Sequence, residues 1–345
     1  MRPMPATPRP AREVQGLRPE QVPWRDLLAA GEPLILRGLA ADWPLVAAGR
    51  TSPRAAVDYL LRFYNGRPAA GYTAPHEVGG RYFYADETLT TLNFAAERVQ
   101  LDAYLGRMLA RLDDPAAPSF YVGSADLDGY FPGLTADNDL GLADPMFARV
   151  VKSIWIGTRT IATAHHDMSN NIACTLIGRR RFTLFPPEQV ANLYPGPLEP
   201  TPGGQVISLV DFRAPDLDRF PGFAEAMAAA QVAELEPGDA LIYPALWWHH
   251  VEALAPFNIM VNYWWNDVPA FMDTPMNTLL HGLLSLRDRP AQEKQAWRAL
   301  FDYYVFGPAD RAAAHLPDVA QGPLAPLDDR SARRLRAMLL QRLNR

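Results

Sequence analysis

The chain has one cysteine, Cys174, among its 345 residues. A lone cysteine cannot form an internal disulfide, and without a CxxC pair the sequence has no thiol-based metal or redox motif. This usage fits a reducing compartment, and we expect a cytoplasmic protein. Cys174 itself lies in an apolar run, so we interpret it as a small buried side chain without a chemical function.

Long hydrophobic runs are also missing. No stretch approaches the about 18 consecutive apolar residues that a transmembrane helix requires. Residues 1–24 are rich in Arg and Pro and contain no apolar segment typical of a secretory signal. We therefore expect no membrane partner.

Positive charge is too scattered to predict a nucleic-acid surface. The formal net charge is −5, and no long basic run occurs, so nucleic acid is not an expected partner. The sequence also lacks a P-loop, a GxGxxG motif after a strand and a GxSxG motif, which excludes the nucleotide-binding and serine-nucleophile chemistries that those motifs serve.

What the sequence does contain predicts an α+β protein. A hydrophobic fraction of 48% with eight Trp residues allows a sizeable core. Short apolar runs separated by Gly and Pro predict a β-barrel core at about residues 119–267, with an N-terminal α/β lead-in and a C-terminal helical cap. The predicted regions are a flexible Pro/Arg-rich segment at 1–22, a barrel region at 23–268 and a helical region at 269–345.

Helical periodicity flanks the barrel on both sides. Ser52 followed by Pro53 predicts the start of a helix, because Ser caps helices and Pro fits their first turn. The C-terminal helices carry more apolar residues than exposed helices normally do. We expect them either to pack on the barrel or to form a two-fold homodimer.

Three residues indicate the chemistry. His165 and Asp167 are two positions apart, and on a strand such residues point to the same face. His249 lies in a second strand-like run and can complete the set. Two imidazoles and one carboxylate form a facial triad that leaves one side of a metal open, as in non-heme Fe(II) oxygenases. Strand alternation points the neighbouring His166 and His250 the other way, so they are not predicted as ligands.

Arg180 is a candidate for binding a carboxylate. A cosubstrate such as 2-oxoglutarate has a distal carboxylate that a guanidinium can bind with two parallel hydrogen bonds. Alternation groups Arg180 with Phe182 and Leu184 on one face, and Arg179 with Arg181 on the other. The alternative is a solvated hairpin with three surface arginines, and spacing alone leaves both open.

Two asparagines and a group of aromatic residues surround the candidate ligands. Asn171 and Asn262 can bind a metal-bound or carboxylate oxygen, although each can equally satisfy a turn or a neighbouring backbone group. The aromatic residues can be core, or can form an apolar wall that excludes water from the site. They are Trp247, Trp248, Tyr263, Trp264 and Trp265.

These segments together resemble the cupin-like JmjC family of Fe(II)/2-oxoglutarate oxygenases. The resemblance covers about residues 32–270 and rests on four segments in combination: 33–44, 155–187, 235–254 and 261–265. It implies a double-stranded β-helix, also called a jelly roll, with Fe(II) inside, 2-oxoglutarate as cosubstrate and O₂ as oxidant. It implies hydroxylation of a side chain of an unknown protein or peptide, although a small-molecule substrate stays open.

The resemblance also implies roles for individual residues. His165, Asp167 and His249 correspond to the iron ligands. Four residues correspond to positions that contact the cosubstrate: Tyr121, Asn171, Arg180 and Asn262. No further catalytic residue is implied.

Three positions depart from the family pattern. Arg180 stands where the family usually has Lys, which keeps the charge but changes its reach. Ala162 stands where relatives place a Thr hydroxyl on the cosubstrate, and the neighbouring Thr163 is the candidate to replace it. His166 replaces a frequent Tyr. Two alternatives therefore stay open: a metal-dependent cupin isomerase or hydrolase that does not use 2-oxoglutarate, and a catalytically silent binding module.

Overall fold

The computed structural model describes residues 7–344, so the first part of the segment predicted to be flexible lies outside the described residues. The chain forms two compact units, of which the first ends at Asn266 and the second begins at Asp267.

The first unit contains two large β-sheets. Their strands are β1 (Arg9–Pro10), β2 (Arg12–Gln15), β3 (Leu34–Arg37), β4 (Ala69–Ala74), β5 (Arg81–Tyr82), β6 (Ala95–Val99), β7 (Ser119–Asp126), β8 (Val151–Gly157), β9 (Ile161–His166), β10 (Asn170–Ile177), β11 (Arg180–Phe185), β12 (Gln231–Leu235), β13 (Ala240–Tyr243), β14 (Trp248–Ala253) and β15 (Asn258–Trp265). One sheet has six strands in the order β1-β12-β11-β14-β9-β5, and the other has nine in the order β2-β3-β13-β10-β15-β8-β7-β4-β6.

Helices complete both units, and the predicted α+β class is confirmed. In the first unit they are α1 (Trp24–Ala29), α2 (Pro44–Thr51), α3 (Pro53–Leu61), α4 (Leu101–Leu109), α5 (Leu127–Tyr130) and α6 (Phe223–Ala229). In the second they are α7 (Pro275–Ser285), α8 (Ala291–Phe301) and α9 (Asp329–Leu343). None of the helices within residues 7–344 has both the length and the apolar character needed to cross a membrane.

The two sheets share an apolar cluster that places them face to face. It takes side chains from both: Phe182, Leu184 and Val251 from the six-stranded sheet, and Ala173, Leu241 and Met260 from the nine-stranded sheet. Full burial of a Val, Leu, Phe or Met side chain contributes about 1.5–3 kcal/mol. His165, Arg180 and His249 lie on strands of the six-stranded sheet.

Helices α2, α3 and α4 belong to a second cluster, with one face of the nine-stranded sheet. Cys174 is fully buried in this cluster, and burial raises the pKa of its thiol, as expected of a packed side chain. The helix start predicted at Ser52 is confirmed, because the Ser52 side chain caps α3 by accepting a hydrogen bond from the backbone N–H of Ala55 at 3.0 Å.

The N-terminal segment predicted to be flexible contains two edge strands. β1 pairs in parallel with β12, and β2 pairs in parallel with β3, so each lies at the end of a different sheet. Without β1 and β2, the strands β12 and β3 would have unpaired backbone N–H and C=O groups along one side, and the N-terminal segment pairs with these groups. Such pairing needs little from the side chains, which is why a segment rich in Arg and Pro can form it.

Candidate metal centre

The structure brings together the three side chains predicted as metal ligands. His165 is near the end of β9, Asp167 follows that strand, and His249 is on β14. One ligand atom from each of the three residues lies within 4.8 Å of the others. The separation of His249 Nε2 from Asp167 Oδ2 is 3.7 Å. The three donors are close enough to share one ion.

Both imidazoles are oriented by backbone carbonyls. His165 Nδ1 lies 2.8 Å from the carbonyl oxygen of Thr163, and His249 Nδ1 lies 3.0 Å from that of Trp247. A neutral imidazole that donates from Nδ1 keeps its lone pair on Nε2. The two Nε2 atoms are therefore the nitrogens available to a metal.

Burial and neighbouring charges favour the protonation states that bind a metal. Burial lowers the pKa of His249 to about 4, and His165 adds to this lowering while Asp167 opposes it. Burial alone would raise the pKa of Asp167, but the adjacent imidazoles and two hydrogen bonds keep it below its usual value. Neutral imidazole and ionised carboxylate are the forms that ligate divalent metals.

The neighbouring histidines make aromatic contacts outside the triad. His166 packs edge-on against Trp248 at 4.9 Å between ring centroids, and His250 stacks on Phe212 at 4.2 Å. Neither belongs to the group of candidate ligands. Their placement agrees with the alternation of β9 and β14, which points adjacent side chains to opposite faces.

Arg180 is buried, whereas its two neighbours are not. The side chains of Arg179 and Arg181 are 52% and 42% exposed and form ion pairs with Glu234, while Arg180 as a residue is 3% exposed. The Arg180 Nε has no hydrogen-bond partner among the described residues. Burial lowers the pKa of Arg180 to about 10, and nearby Tyr121 opposes this. A buried guanidinium without an anion indicates a binding site for one.

Tyr121 belongs to a cavity of about 260 Å³ whose wall also includes His165. Four further aromatic side chains line this cavity: Tyr72, Tyr82, Phe94 and Trp155. Ala162 and Thr163 lie on the same wall, and the hydroxyl of Thr163 is buried with no hydrogen-bond partner in the described chain. A hydroxyl is thus present beside the position at which the family's Thr is replaced by Ala162.

Of the two predicted asparagines, Asn171 contacts the triad directly and Asn262 contacts it through Asn171. Asn171 Nδ2 donates to Asp167 Oδ2 at 3.1 Å, and Asn262 Nδ2 donates to Asn171 Oδ1 at 2.8 Å. Sequence reasoning missed two partners of this network. Trp264 Nε1 donates to Asp167 Oδ2 at 3.1 Å, and Trp155 Nε1 donates to Asn262 Oδ1 at 2.5 Å. The adjacent Trp264 and Trp265 were a signal for the first of them, but their spacing predicts no particular contact.

Comparison with known proteins gives a consistent picture. A family model described as "Cupin-like domain" matches residues 19–271. Human HSPB1-associated protein 1 is 34% identical over 152 residues, which cover 42% of this chain and 30% of that protein. Lysine-specific demethylase 8 of Xenopus tropicalis is 26% identical over 249 residues, covering 69% and 49%. Jumonji C domain-containing protein 5 of Drosophila melanogaster is 26% identical over 244 residues, covering 68% and 55%.

The chain spans between 30% and 55% of the length of these three relatives. Among solved structures, that of E. coli ycfD aligns with 94% of this chain and 68% of its own, at 16% identity and a TM-score of 0.43, a similarity too low to support an argument. The family model, in contrast, covers well over half of the chain. This protein therefore belongs to the Cupin-like domain family, and its relatives place it among the JmjC-type cupins.

Proposed function

We propose that this protein is an Fe(II)- and 2-oxoglutarate-dependent oxygenase that hydroxylates a side chain of a protein or peptide. One observation carries the proposal. Three candidate metal ligands lie close together, and His165 among them lines the same cavity as Tyr121, whose neighbour Arg180 is buried without a carboxylate partner in the described part of the chain. A metal-dependent isomerase or hydrolase needs the first feature but has no use for the second.

The donor set suits ferrous iron. Two neutral imidazoles and one carboxylate are the ligands of non-heme Fe(II) sites, and three protein ligands leave three octahedral positions free. When bound there, iron supplies the oxidising chemistry together with 2-oxoglutarate and O₂. The protein's own residues then have to bind, orient and shield, and no side chain is required as a general base.

Arg180 and Tyr121 suit the distal carboxylate of 2-oxoglutarate. The Arg180 guanidinium can donate two parallel hydrogen bonds to a carboxylate, and the Tyr121 hydroxyl lies close enough for the two groups to influence each other's pKa. A hydrogen bond to a charged group contributes about 1.5–3 kcal/mol. Asn262 is also proposed to contact 2-oxoglutarate. Its Nδ2 group has two hydrogens to donate, and among the described residues it donates one, to Asn171 Oδ1.

Asn171 is less free to bind the cosubstrate. Its Nδ2 donates to Asp167 Oδ2 and to the backbone oxygen of Ser169, and its Oδ1 accepts from Asn262. Both amide hydrogens are used, so Asn171 can offer a cosubstrate only a second lone pair on Oδ1, which cannot bind a carboxylate oxygen.

The aromatic cavity, which Tyr121 also lines, is the proposed place for the substrate side chain next to the cosubstrate. Its rings would keep water away from the metal, which protects a reactive oxidant from side reactions. The loop at residues 202–205 forms another part of its wall. We further infer that the two facing sheets form the double-stranded β-helix typical of the family. The choice of a protein side chain rests on relatives such as the one named lysine-specific demethylase 8.

The test is anaerobic calorimetry of 2-oxoglutarate binding to the Mn(II)-loaded protein. We expect metal-dependent binding that Asp167→Ala abolishes and Arg180→Ala weakens by at least about tenfold, the equivalent of 1.4 kcal/mol. Arg181→Ala is the matched control, because Arg181 is on the same strand but pairs with Glu234 on the exposed face. It should bind 2-oxoglutarate like the unmodified protein.

Three results would contradict the proposal. Tight metal binding without 2-oxoglutarate binding would favour the isomerase or hydrolase. Absence of metal binding would favour a silent binding module. Equal loss of affinity in Arg180→Ala and Arg181→Ala would remove the carboxylate role of Arg180. If binding is found, mass spectrometry of peptides incubated with the iron-loaded protein, 2-oxoglutarate and O₂ should detect products heavier by one oxygen atom, formed together with succinate.

A further inference from the structure

We infer that Trp264 and the pair Asn171–Asn262 are positioning residues, which hold the Asp167 carboxylate in the orientation that a metal ion requires. The inference rests on the metal site of the proposed function. It assigns a role to Trp264, and it moves Asn171 from the cosubstrate to the ligand carboxylate.

Asp167 needs such support because of its place in the chain. The two histidines are held by strand pairing, whereas Asp167 follows the last residue of β9 and lies outside the ladder. Its backbone oxygen accepts a hydrogen bond from Leu246, which fixes the main chain but not the side chain. The carboxylate torsions are therefore set by whatever donates to its oxygens.

Two neutral donors perform that task. Trp264 Nε1 and Asn171 Nδ2 each donate to Asp167 Oδ2 at 3.1 Å. Asn171 and Trp264 are direct register partners on the adjacent strands β10 and β15. Because their positions are fixed by the ladder, both hydrogen bonds reach the same oxygen from a rigid sheet rather than from a loop.

A series of hydrogen bonds runs from Trp155 through the two asparagines to Asp167, and its two end groups fix which atom donates in each bond. Trp155 Nε1 can only donate, so the group of Asn262 that faces it must be Oδ1. The Nδ2 of Asn262 then faces Asn171 Oδ1, and the Nδ2 of Asn171 faces the carboxylate, which when ionised can only accept. A donor-only indole and an acceptor-only carboxylate thus allow only one orientation of both amides.

This arrangement implies that the network acts on the metal through Asp167. Residues that hold a ligand in place typically change metal affinity by about 10–100-fold when they are removed. Trp264 makes the direct hydrogen bond, so its loss should have the larger effect. Trp155 acts only through Asn262 and Asn171, so its loss should have a smaller effect in the same direction.

The tryptophan pair offers a matched comparison. Trp264→Phe removes an indole N–H that donates to Asp167. Trp265→Phe removes a neighbouring indole N–H that is buried and has no acceptor among the described residues. Trp265 also packs against Phe147 in the core, with ring centroids 4.8 Å apart, so its replacement should cost at least as much fold stability. The affinity for a metal should therefore fall in Trp264→Phe but not in Trp265→Phe, whereas the free energy of unfolding should fall at least as much in Trp265→Phe.

The experiment uses calorimetry to titrate Mn(II), without 2-oxoglutarate, into the unmodified metal-free protein and into the Trp264→Phe, Trp265→Phe and Trp155→Phe variants. Urea unfolding of each metal-free protein monitors the fold. The absorption spectrum of bound Co(II) reports the ligand arrangement. We expect about tenfold weaker Mn(II) binding and a changed Co(II) spectrum for Trp264→Phe, and neither change for Trp265→Phe.

The outcomes separate the inference from the proposed function. If the unmodified protein binds no Mn(II), both the metal site and the inference are overturned. Normal metal binding with equal affinities in Trp264→Phe and Trp265→Phe overturns only the inference. If Trp264→Phe does not fold, Trp155→Phe decides: reduced Mn(II) affinity supports the network, and unchanged affinity refutes it. Asn171→Ala that weakens 2-oxoglutarate binding but not Mn(II) binding would return Asn171 to the cosubstrate.

Discussion

His165 and His249 are direct register partners across the antiparallel pair of β9 and β14, with ring centroids 4.3 Å apart. The pairing register changes immediately afterwards, between His249 and Val251. The pairing of the two strands thus places the two imidazoles side by side on one face of the sheet. The third candidate ligand, Asp167, is held there by side-chain hydrogen bonds instead.

Replacing the buried guanidinium should stabilise the protein in the absence of cosubstrate. Arg180→Met removes a charge that has no ionic partner in the described part of the chain, and it fills similar volume with an apolar side chain. We expect the free energy of unfolding to rise by about 1 kcal/mol or more, measured by urea denaturation without 2-oxoglutarate. Arg181→Met is the control and should change it by less than about 1 kcal/mol in the other direction, because Arg181 is an exposed ion-pair partner. A destabilised Arg180→Met variant would mean that the guanidinium has a protein partner.

The unfolding free energy should fall in mild acid, in part because of His250. Burial lowers the pKa of His250 to about 3 from an ordinary value of 6.5, so the folded protein keeps this ring neutral while the unfolded chain protonates it. The unfolded state therefore binds more protons between these two pKa values, and stability is lost as the pH falls through that window, by about 1.4 kcal/mol per pH unit for one proton. His250→Phe should make the loss between pH 6 and 4, about the middle of that window, shallower in urea denaturation at each pH. An unchanged slope would show that His250 is not held neutral.

The turn between β10 and β11 should not tolerate a side chain at Gly178. Its φ is +73°, and a Cβ atom there would lie 2.7 Å from the backbone oxygen of Phe257. Gly66 has a similar φ of +78° with nothing within 4 Å, so Gly66→Ala measures the conformational cost alone, about 1–2 kcal/mol. Gly178→Ala should cost clearly more, and thermal unfolding of the two variants compares them. Because the turn immediately precedes β11, Gly178→Ala should also weaken 2-oxoglutarate binding; equal stability of the two variants would contradict the steric part.

We propose that the protein forms a homodimer through its C-terminal helices. In the second unit, Leu284 of α7 is 78% exposed and Phe306, which follows α8, is 75% exposed, an unfavourable arrangement for apolar side chains in water. Light scattering at micromolar concentration should give about twice the chain mass of 38.3 kDa. The double change Leu284→Glu and Phe306→Glu should give the monomer mass without unfolding the first unit. A monomeric mass for the unmodified protein would exclude the dimer.

Much of the fold class could be predicted from local patterns. Alternation along residues 179–185 predicts that Arg180 is buried and that Arg179 and Arg181 are exposed if the segment is a strand, and the structure shows this division. The cap at Ser52 could be predicted because it depends only on neighbours in sequence. The edge strands β1 and β2 could not, because they are formed by backbone pairing with strands that are distant in sequence. Local composition contains no information on such partners.

The candidate site divides in the same way. The sequence by itself determined the residue types and the two-residue spacing of His165 and Asp167, because a strand places such positions on one face. Only the tertiary structure decided which groups meet across the sheets. It aligned His249 with His165, left Arg180 without an anionic partner among the described residues, and linked Trp155 to Asp167 through two asparagines. These relationships depend on pairing register between strands that are far apart in the chain, and register is set by the packing of the whole sheet rather than by any local pattern.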